Sequence, residues 1–308
     1  MFTITRGRLA LVSAVAVGAV VALAGCASGD PLDEGNTGSG GSETLVVGSQ
    51  DYYSNEIIAE IYAQALENGG FTVDRQFRIG QREAYLPEIE SGSIDVFPEY
   101  TGSLLQALEA DAPGGTADEV YTALEAALPD GVSVLDRADA SDQNFWTVTQ
   151  AFADTYGLTD IASLTAVTEP ITVGGNSELE TRPYGPTALK EKYGIEIAGF
   201  TPVEDSGGPL TVKALVDNKI QLANIYTADP NIASNDLVAL DDPDGLFFPD
   251  NVVPVVSEKV DADAADILNA VSAALDADTL VDLNAQSVND QAAADTIATD
   301  WLTEQGLI

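Results

Sequence analysis

The same order of elements occurs twice along this chain, and this repetition is what most limits its possible folds. Short apolar segments predict strands at 44–47, 71–79, 92–97, 171–173, 195–200 and 220–225. Apolar residues at helical spacing predict helices between them at 54–68, 83–91, 186–193 and 210–216. Strands that alternate with helices build parallel sheets with helices on their faces. We therefore expect two similar α/β lobes.

Each half also ends an apolar strand on Tyr-Thr. The segment GSIDVFPEYTGSLL reaches Tyr100 and Thr101, and NKIQLANIYTADPNI reaches Tyr226 and Thr227. Open α/β sheets bind ligands at the carboxyl ends of their strands. The two tyrosines are therefore expected to face one another across a cleft between the lobes.

The beginning of the chain predicts export. Arg6 and Arg8 precede an apolar stretch at 9–23 that is short for a membrane span, and LAGC follows, ending at Cys26. This pattern is typical of a bacterial lipoprotein signal, in which the cysteine carries the lipid. Cys26 is the only cysteine, so no disulfide framework is possible. Residues 27–43 are rich in Gly, Ser and Asp and predict a flexible linker.

Charge and composition exclude several classes of function. The chain has 12 basic and 50 acidic residues, and without Arg6 and Arg8 the balance is 10 against 50, near −40. Nucleic acids and anionic lipid surfaces would be repelled. The acidic residues are spread along the chain, which favours a solvated surface in a saline setting. With no histidine and a single cysteine, His-dependent nucleophilic catalysis and ordinary zinc sites are excluded, and no metal or cofactor is expected.

Longer segments resemble one known family. They are GSQDYYSNEIIAEIYAQALENGGFTV, REAYLPEIESGSIDVFPEYTGSLL, RPYGPTALKEKYGI and ALVDNKIQLANIYTADPNI. Together they are similar to the extracellular solute-binding proteins of ABC importers for glycine betaine, choline, carnitine and related osmoprotectants. The resemblance implies a type II periplasmic-binding-protein fold that closes on its ligand and delivers it to a membrane permease. It also implies that the protein is a monomer without enzymatic activity. A lipid would anchor it to the extracellular face of a Gram-positive membrane.

The resemblance also implies how the chain is divided. The expected parts are a signal peptide at 1–26, the linker at 27–43, a first lobe from 44–141 with 228–308, and a second lobe at 142–227. A helical tail at 262–301 is expected to pack on the first lobe.

The ligand-binding residues follow from matching the family's motifs. Quaternary ammonium groups donate no conventional hydrogen bond, so proteins surround them with aromatic faces, here Tyr100 and Tyr226. Ser103 and Gln50 stand where polar side chains would bind the rest of the ligand. Gln50 has the alternative role of capping the next helix.

The first crossing between the lobes supplies further candidates. Asp142 and Asn144 fall at ligand positions, although Asn144 and Leu179 stand where many members carry aromatics. Phe145 or Trp146 could compensate, but strand alternation lets only one of them point inward.

Three other interpretations stay open on the sequence. One is a protein of the same fold that binds a different small polar solute. Another is a carboxylate-based hydrolase, which would use two acids and turn its substrate over. The third is an adhesive surface lipoprotein without a small ligand.

Overall fold

Two five-stranded sheets organise the part of the chain that the computed structural model describes, residues 44–308. Their strands are β1 (Thr44–Gly48), β2 (Thr72–Gln76), β3 (Val96–Tyr100), β4 (Val132–Val134), β5 (Asn144–Thr149), β6 (Ile171–Gly175), β7 (Ile197–Pro202), β8 (Leu222–Tyr226), β9 (Leu237–Ala239) and β10 (Val252–Ser257). The order is β2-β1-β3-β10-β4 in the first sheet and β7-β6-β8-β5-β9 in the second. The predicted signal peptide, Cys26 and the linker lie outside the described residues.

The two sheets share one topology. β1 pairs in parallel with β2 and β3, as β6 does with β7 and β8. In each sheet the next strand is antiparallel: β10 pairs with β3, and β5 pairs with β8. Each of these two strands follows a point at which the chain crosses from one lobe to the other. The predicted repetition therefore corresponds to two sheets of the same design.

The second sheet extends further along the chain than predicted. β9 pairs antiparallel with β5, so the second sheet continues beyond residue 227, the predicted end of the second lobe. The chain re-enters the first sheet with β10. A strand of three residues has too short an apolar pattern to be recognised in the sequence.

Helices cover the faces of the sheets. They are α1 (Tyr53–Asn68), α2 (Arg82–Glu90), α3 (Thr101–Leu108), α4 (Ala117–Ala127), α5 (Gln150–Tyr156), α6 (Pro186–Tyr193), α7 (Pro209–Val216), α8 (Asn231–Ser234), α9 (Ala262–Ala274), α10 (Ala277–Asn289) and α11 (Ala294–Gln305), with 3₁₀ segments at Ile161–Ala166 and Ser177–Thr181. The tail forms three helices, and all three pack on α1 in the first lobe. Among the described residues, none of these helices is both long and apolar enough to cross a membrane.

The packing of the first lobe explains why most residues of α1 are buried. Ile57, Ile61 and Tyr62 are fully buried because α1 lies between the first sheet and the helical tail. On the other side of the sheet a separate cluster of apolar residues includes Phe97 and Leu104. A third cluster around Trp146 fills the second lobe.

Two chain segments that connect the lobes run side by side. Ser141 and Asn251 form an antiparallel bridge. The backbone N–H of Val252 donates to the carbonyl of Ala140 at 3.0 Å. These paired segments place residues 142 and 250 next to the gap between the two sheets.

Candidate functional site

A cleft lies where the carboxyl ends of β3 and β8 approach one another. Its empty volume is about 560 Å³, including solvent at its mouth. Side chains from both lobes and from the connecting segments line it: Gln50, Tyr52, Gln81, Arg82, Tyr100, Ser103, Asp142, Asn144, Asn176, Glu178, Leu179, Arg182, Tyr184, Ser206, Asn224, Tyr226 and Asp250, together with Gly207. This is the position at which open α/β sheets place their ligands.

All of the predicted ligand-binding residues line this cleft. They are Gln50, Tyr100, Ser103, Asp142, Asn144 and Tyr226. They come from positions 176 residues apart in sequence, from the loop after β1 to the end of β8. Their contact with a ligand stays a prediction.

The cleft holds two tyrosines that the sequence analysis missed. Tyr52 lies between the two predicted ones, with ring centroids 6.4 Å from Tyr100 and 5.5 Å from Tyr226. Its hydroxyl donates to the hydroxyl of Tyr100. Tyr184 lines the cleft from the second lobe. Burial raises the pKa of all four above its ordinary value, so they remain neutral rings with polar tips.

Sequence signals for these two tyrosines were present but weak. Tyr52 follows Gln50 by two residues, and Tyr184 lies in a Pro-Tyr-Gly turn. Both stand in loops, where no periodic pattern indicates the direction of a side chain. The aromatics considered as substitutes do not line the cleft. Trp146 is fully buried in the second lobe, and Phe145 packs near the ring of Phe247.

Two buried carboxylates face the cleft. Asp142 accepts a hydrogen bond from the backbone N–H of Ala228 at 2.9 Å. Asp250, which the sequence analysis missed, accepts from the backbone N–H of Ser103 at 2.8 Å and from its hydroxyl at 2.5 Å. Burial raises the pKa of Asp142 to about 7 and that of Asp250 to about 6, because burial disfavours the charged form.

A short chain of hydrogen bonds continues from Asp250 across the cleft wall. The side-chain amide of Asn144 donates to the Ser103 hydroxyl at 3.1 Å, and that hydroxyl donates to Asp250. Asn144, the predicted departure from the family's aromatic, thus extends a polar wall. Leu179, the other departure, lines the cleft with an aliphatic side chain.

The two guanidinium groups in the lining already have acidic partners. Arg82 forms two hydrogen bonds of 2.8 Å with Glu99, which is fully buried on β3. Arg182 pairs with Glu83 at 2.8 Å, joining the two lobes. Within the described part of the chain, neither Asp142 nor Asp250 forms an ion pair with a lysine or arginine. When they are ionised, Asp142 and Asp250 therefore add negative charge to the cleft without an ion-pair partner.

Gln50 has an unused donor. Its side chain is only 7 % exposed, and among the described residues its Nε2 has no hydrogen-bond partner. The alternative role in capping α1 is not seen, because no side chain caps that helix. An unpartnered amide in a buried position is costly, which points to a partner supplied from outside the protein.

Two lobes of one topology with a polar, aromatic cleft between them define a two-lobed solute-binding protein. The chain belongs to the family described as the substrate binding domain of ABC-type glycine betaine transport systems, whose model matches residues 43–304. The predicted family and the predicted type II periplasmic-binding-protein fold are both confirmed.

Individual relatives agree with this assignment. The chain is 27% identical over 274 residues to the glycine betaine-binding protein YehZ of Escherichia coli (strain K12), covering 84% of this chain and 90% of that protein. It is 26% identical to a glycine-betaine-binding protein of Pseudomonas aeruginosa, covering 87% and 89%. A crystal structure titled as a glycine betaine/carnitine/choline ABC transporter has the same fold, with a TM-score of 0.68 at 18% identity over 85% of this chain and 99% of that one.

Proposed function

We propose that this chain captures a quaternary ammonium solute, glycine betaine, choline or a close analogue, and delivers it to the permease of an ABC importer. The observation that carries the proposal is the grouping of four tyrosines around one cleft together with two buried carboxylates that form no ion pair within residues 44–308. The names of the relatives support the same solute class.

The chemistry of the cleft suits such a ligand. A methylated ammonium group has no N–H, so it gains its stabilisation from ring faces and from negative charge. The ring centroid of Tyr52 lies 6.4 Å from that of Tyr100 and 5.5 Å from that of Tyr226. One small cation could therefore contact more than one ring. The ligand would bring a cation close to Asp142 and Asp250, which have no ion-pair partner among the described residues.

A polar group on the ligand would bind elsewhere in the same cleft. Asn176 and Ser206 of the second lobe are hydrogen-bonded to each other, the amide donating to the hydroxyl at 3.2 Å. Gln50 offers its free Nε2 from the first lobe. These groups suit a ligand oxygen. Capture by this arrangement is stoichiometric and involves no turnover.

Calorimetric titration tests the proposal. The purified domain is titrated with glycine betaine, choline, carnitine and, as a solute without a quaternary nitrogen, glycine. One of the first three should bind with a stoichiometry near one while glycine gives no heat of binding. Absence of binding by all three quaternary compounds would overturn the assignment.

We also propose that the protein acts as a monomer held to the extracellular face of the membrane by a lipid on Cys26. The signal and linker patterns of the first 43 residues support this. Replacement of Cys26 by Ser should release the protein into the medium, as measured by fractionation and immunoblotting. If the variant stays in the membrane fraction as fully as the wild type, the anchor is not this cysteine.

A further inference from the structure

The threonine of each Tyr-Thr ending makes an unusual pair of hydrogen bonds. At the end of β3, the hydroxyl of Thr101 donates to the carbonyl of Pro249 at 3.1 Å. It also accepts from the backbone N–H of Asn251 at 3.1 Å. Thr101 is fully buried. One hydroxyl therefore holds both peptide groups that flank Asp250.

Thr227 repeats this arrangement at the end of β8. Its hydroxyl accepts from the backbone N–H of Gln143 at 2.9 Å and lies 3.3 Å from the carbonyl of Ser141, to which it donates. These are the peptide groups that flank Asp142. The same dipeptide thus makes the same contacts with each of the two segments that connect the lobes.

The residues enclosed by the two threonines are the two cleft carboxylates. Asp142 and Asp250 are 4% and 3% exposed, and both line the cleft. Their backbones also contact each other, since the N–H of Asp142 donates to the carbonyl of Asp250 at 3.3 Å. Each Tyr-Thr ending therefore contributes a ring to the cleft and fixes the backbone of an acid beside it.

Independent evidence for a ligand comes from the opposite part of the lining. The Nε2 of Gln50 is buried without a partner, as described above, and it enters the same cleft. A buried carboxylate without a cation is likewise unfavourable unless something else supplies the charge. The site is thus arranged around a charge that the described protein atoms do not provide.

We propose that Asp142 and Asp250 act together as the counter-charge for the ligand's cation, and that Thr101 and Thr227 are positioning residues that direct these carboxylates into the cleft. The inference rests on the proposed function. It assigns a role to Asp250 and to both threonines and adds a determinant of charge selectivity to the tyrosine rings.

Choline and 3,3-dimethylbutanol provide the test, because they share a shape and a hydroxyl and differ in the charged nitrogen. Affinities are measured by calorimetry for wild type, Asp142→Asn and Asp250→Asn. Each substitution should weaken choline binding about tenfold or more and change dimethylbutanol binding less than about twofold, since only the charge interaction is lost. Asp95→Asn is the control for loss of a buried carboxylate outside the cleft, where the acid pairs with Lys259, and it should leave both affinities unchanged.

The threonines are tested with the same pair of probes. Thr101→Val and Thr227→Val keep the shape and remove the hydroxyl, so each should lower the preference for choline over dimethylbutanol. Thr101→Ser and Thr227→Ser keep the hydroxyl, so they should retain the wild-type preference for choline. Thr149→Val, which removes the N-cap hydrogen bond of α5, should leave the preference unchanged.

The outcomes separate this inference from the proposed function. If wild type binds no quaternary compound, the proposed function itself fails. If wild type prefers choline and both Asp→Asn variants keep that preference, the counter-charge role is overturned while the proposed function stands. If the Asn variants lose the preference for choline but the Val variants keep it, the positioning role of Thr101 and Thr227 is overturned. Circular dichroism checks folding, and Asp250→Ser replaces Asp250→Asn if that variant is unfolded.

Discussion

Tyrosine residues serve two purposes in this chain, and burial alone does not distinguish them. Tyr62 is fully buried and Tyr100 is 4% exposed. Both belong to the apolar core of the first lobe, but only Tyr100 also lies near Tyr52 at the cleft and contributes to its lining. The neighbours of a ring, not its exposed fraction, indicate whether it can meet a ligand.

Substitution of the cleft tyrosines should therefore weaken ligand binding in addition to any loss of stability, whereas substitution of Tyr62 should affect stability alone. A desolvated cation–π contact contributes about 1–2 kcal/mol, so Tyr100→Ala and Tyr226→Ala should each weaken binding of the preferred quaternary compound about tenfold or more. Tyr→Phe at either position should weaken binding less, because the aromatic ring face is kept. Calorimetric titration measures both effects.

Tyr62→Ala is the control for this pair. Loss of a large core side chain should lower the free energy of unfolding by about 3–5 kcal/mol and leave the affinity of the folded protein nearly unchanged. Wild-type affinity in both cleft variants would mean that Tyr100 and Tyr226 only pack the interior.

The cleft carboxylates predict a dependence on pH. Because the pKa of Asp142 is raised to about 7 and that of Asp250 to about 6, protonation near neutral pH removes negative charge from the cleft. Affinity for choline should thus rise as the pH increases from 5 to 8. Calorimetry across this range measures it, and Asp142→Asn should flatten the upper part of the curve. A wild-type affinity that is constant with pH would contradict the prediction.

The same shifts act on stability in the opposite direction. A folded-state pKa above the unfolded value, which is about 3.9 for Asp, means that the folded state binds more protons between the two values. The contribution of Asp142 to folding stability is therefore complete below about pH 4 and is lost as the pH rises through about 7. For Asp142 and Asp250, a rise in pH therefore strengthens binding of the cation and lowers the stability of the ligand-free protein.

At the level of elements, α2 and β3 are joined by a buried ion pair. Arg82 at the start of α2 bonds Glu99 through both carboxylate oxygens, and Tyr85 donates to Glu99 at 2.5 Å. This network fixes one wall of the cleft. Its charges are desolvated, so each group depends on the other being present.

Glu99→Gln should accordingly be strongly destabilising. It leaves the Arg82 charge buried without compensation, at a cost of about 3–5 kcal/mol. Glu67→Gln is the comparison, because Glu67 pairs with Arg75 at the surface, where a pair contributes about 1 kcal/mol or less. Denaturant unfolding measures both, and equal losses would argue against the importance of burial.

The helical tail illustrates how an element is divided by local capping. One helical stretch was predicted at 262–301, and three helices are found. Asp276 accepts from the backbone N–H of Thr279 at 2.8 Å and so begins α10. The backbone of Leu275 and Asp276 is extended, which ends α9, and the capping side chain of Asp276 stabilises the start of the next helix.

For the whole molecule, contacts between the lobes predict a change of shape. The side chain of Gln81 donates to Ser206 at 3.2 Å, and Arg182 pairs with Glu83, so both pairs join one lobe to the other. Both are polar contacts at the edge of the cleft, and they should break easily when it is empty. The connecting segments would then act as a hinge.

Small-angle scattering should detect this closure. Addition of saturating quaternary solute should lower the radius of gyration of the wild-type protein, while Tyr226→Ala should require a higher concentration for the same change. Glycine serves as the non-binding control. A profile that stays the same at saturation, with binding shown by calorimetry, would mean that the lobes do not move.

The repeated α/β design, the two Tyr-Thr endings and six residues of the cleft lining could all be predicted before the structure was known. Apolar periodicity predicts the strands and helices, and the carboxyl ends of two strands indicate Tyr100 and Tyr226, whereas Gln50, Ser103, Asp142 and Asn144 came from the resemblance to the family. The match to the family also depends on contiguous motifs. All of this information is carried by neighbours in the chain.

The other groups that line the cleft became apparent only from the folded structure. Tyr52 and Tyr184 lie in loops, and Asp250 lies at a crossing between the lobes where two distant segments run side by side. The partners of Thr101 and Thr227 are likewise residues 84 to 150 positions away. Loop side chains take their direction from packing against remote parts of the chain, and no local pattern encodes that direction.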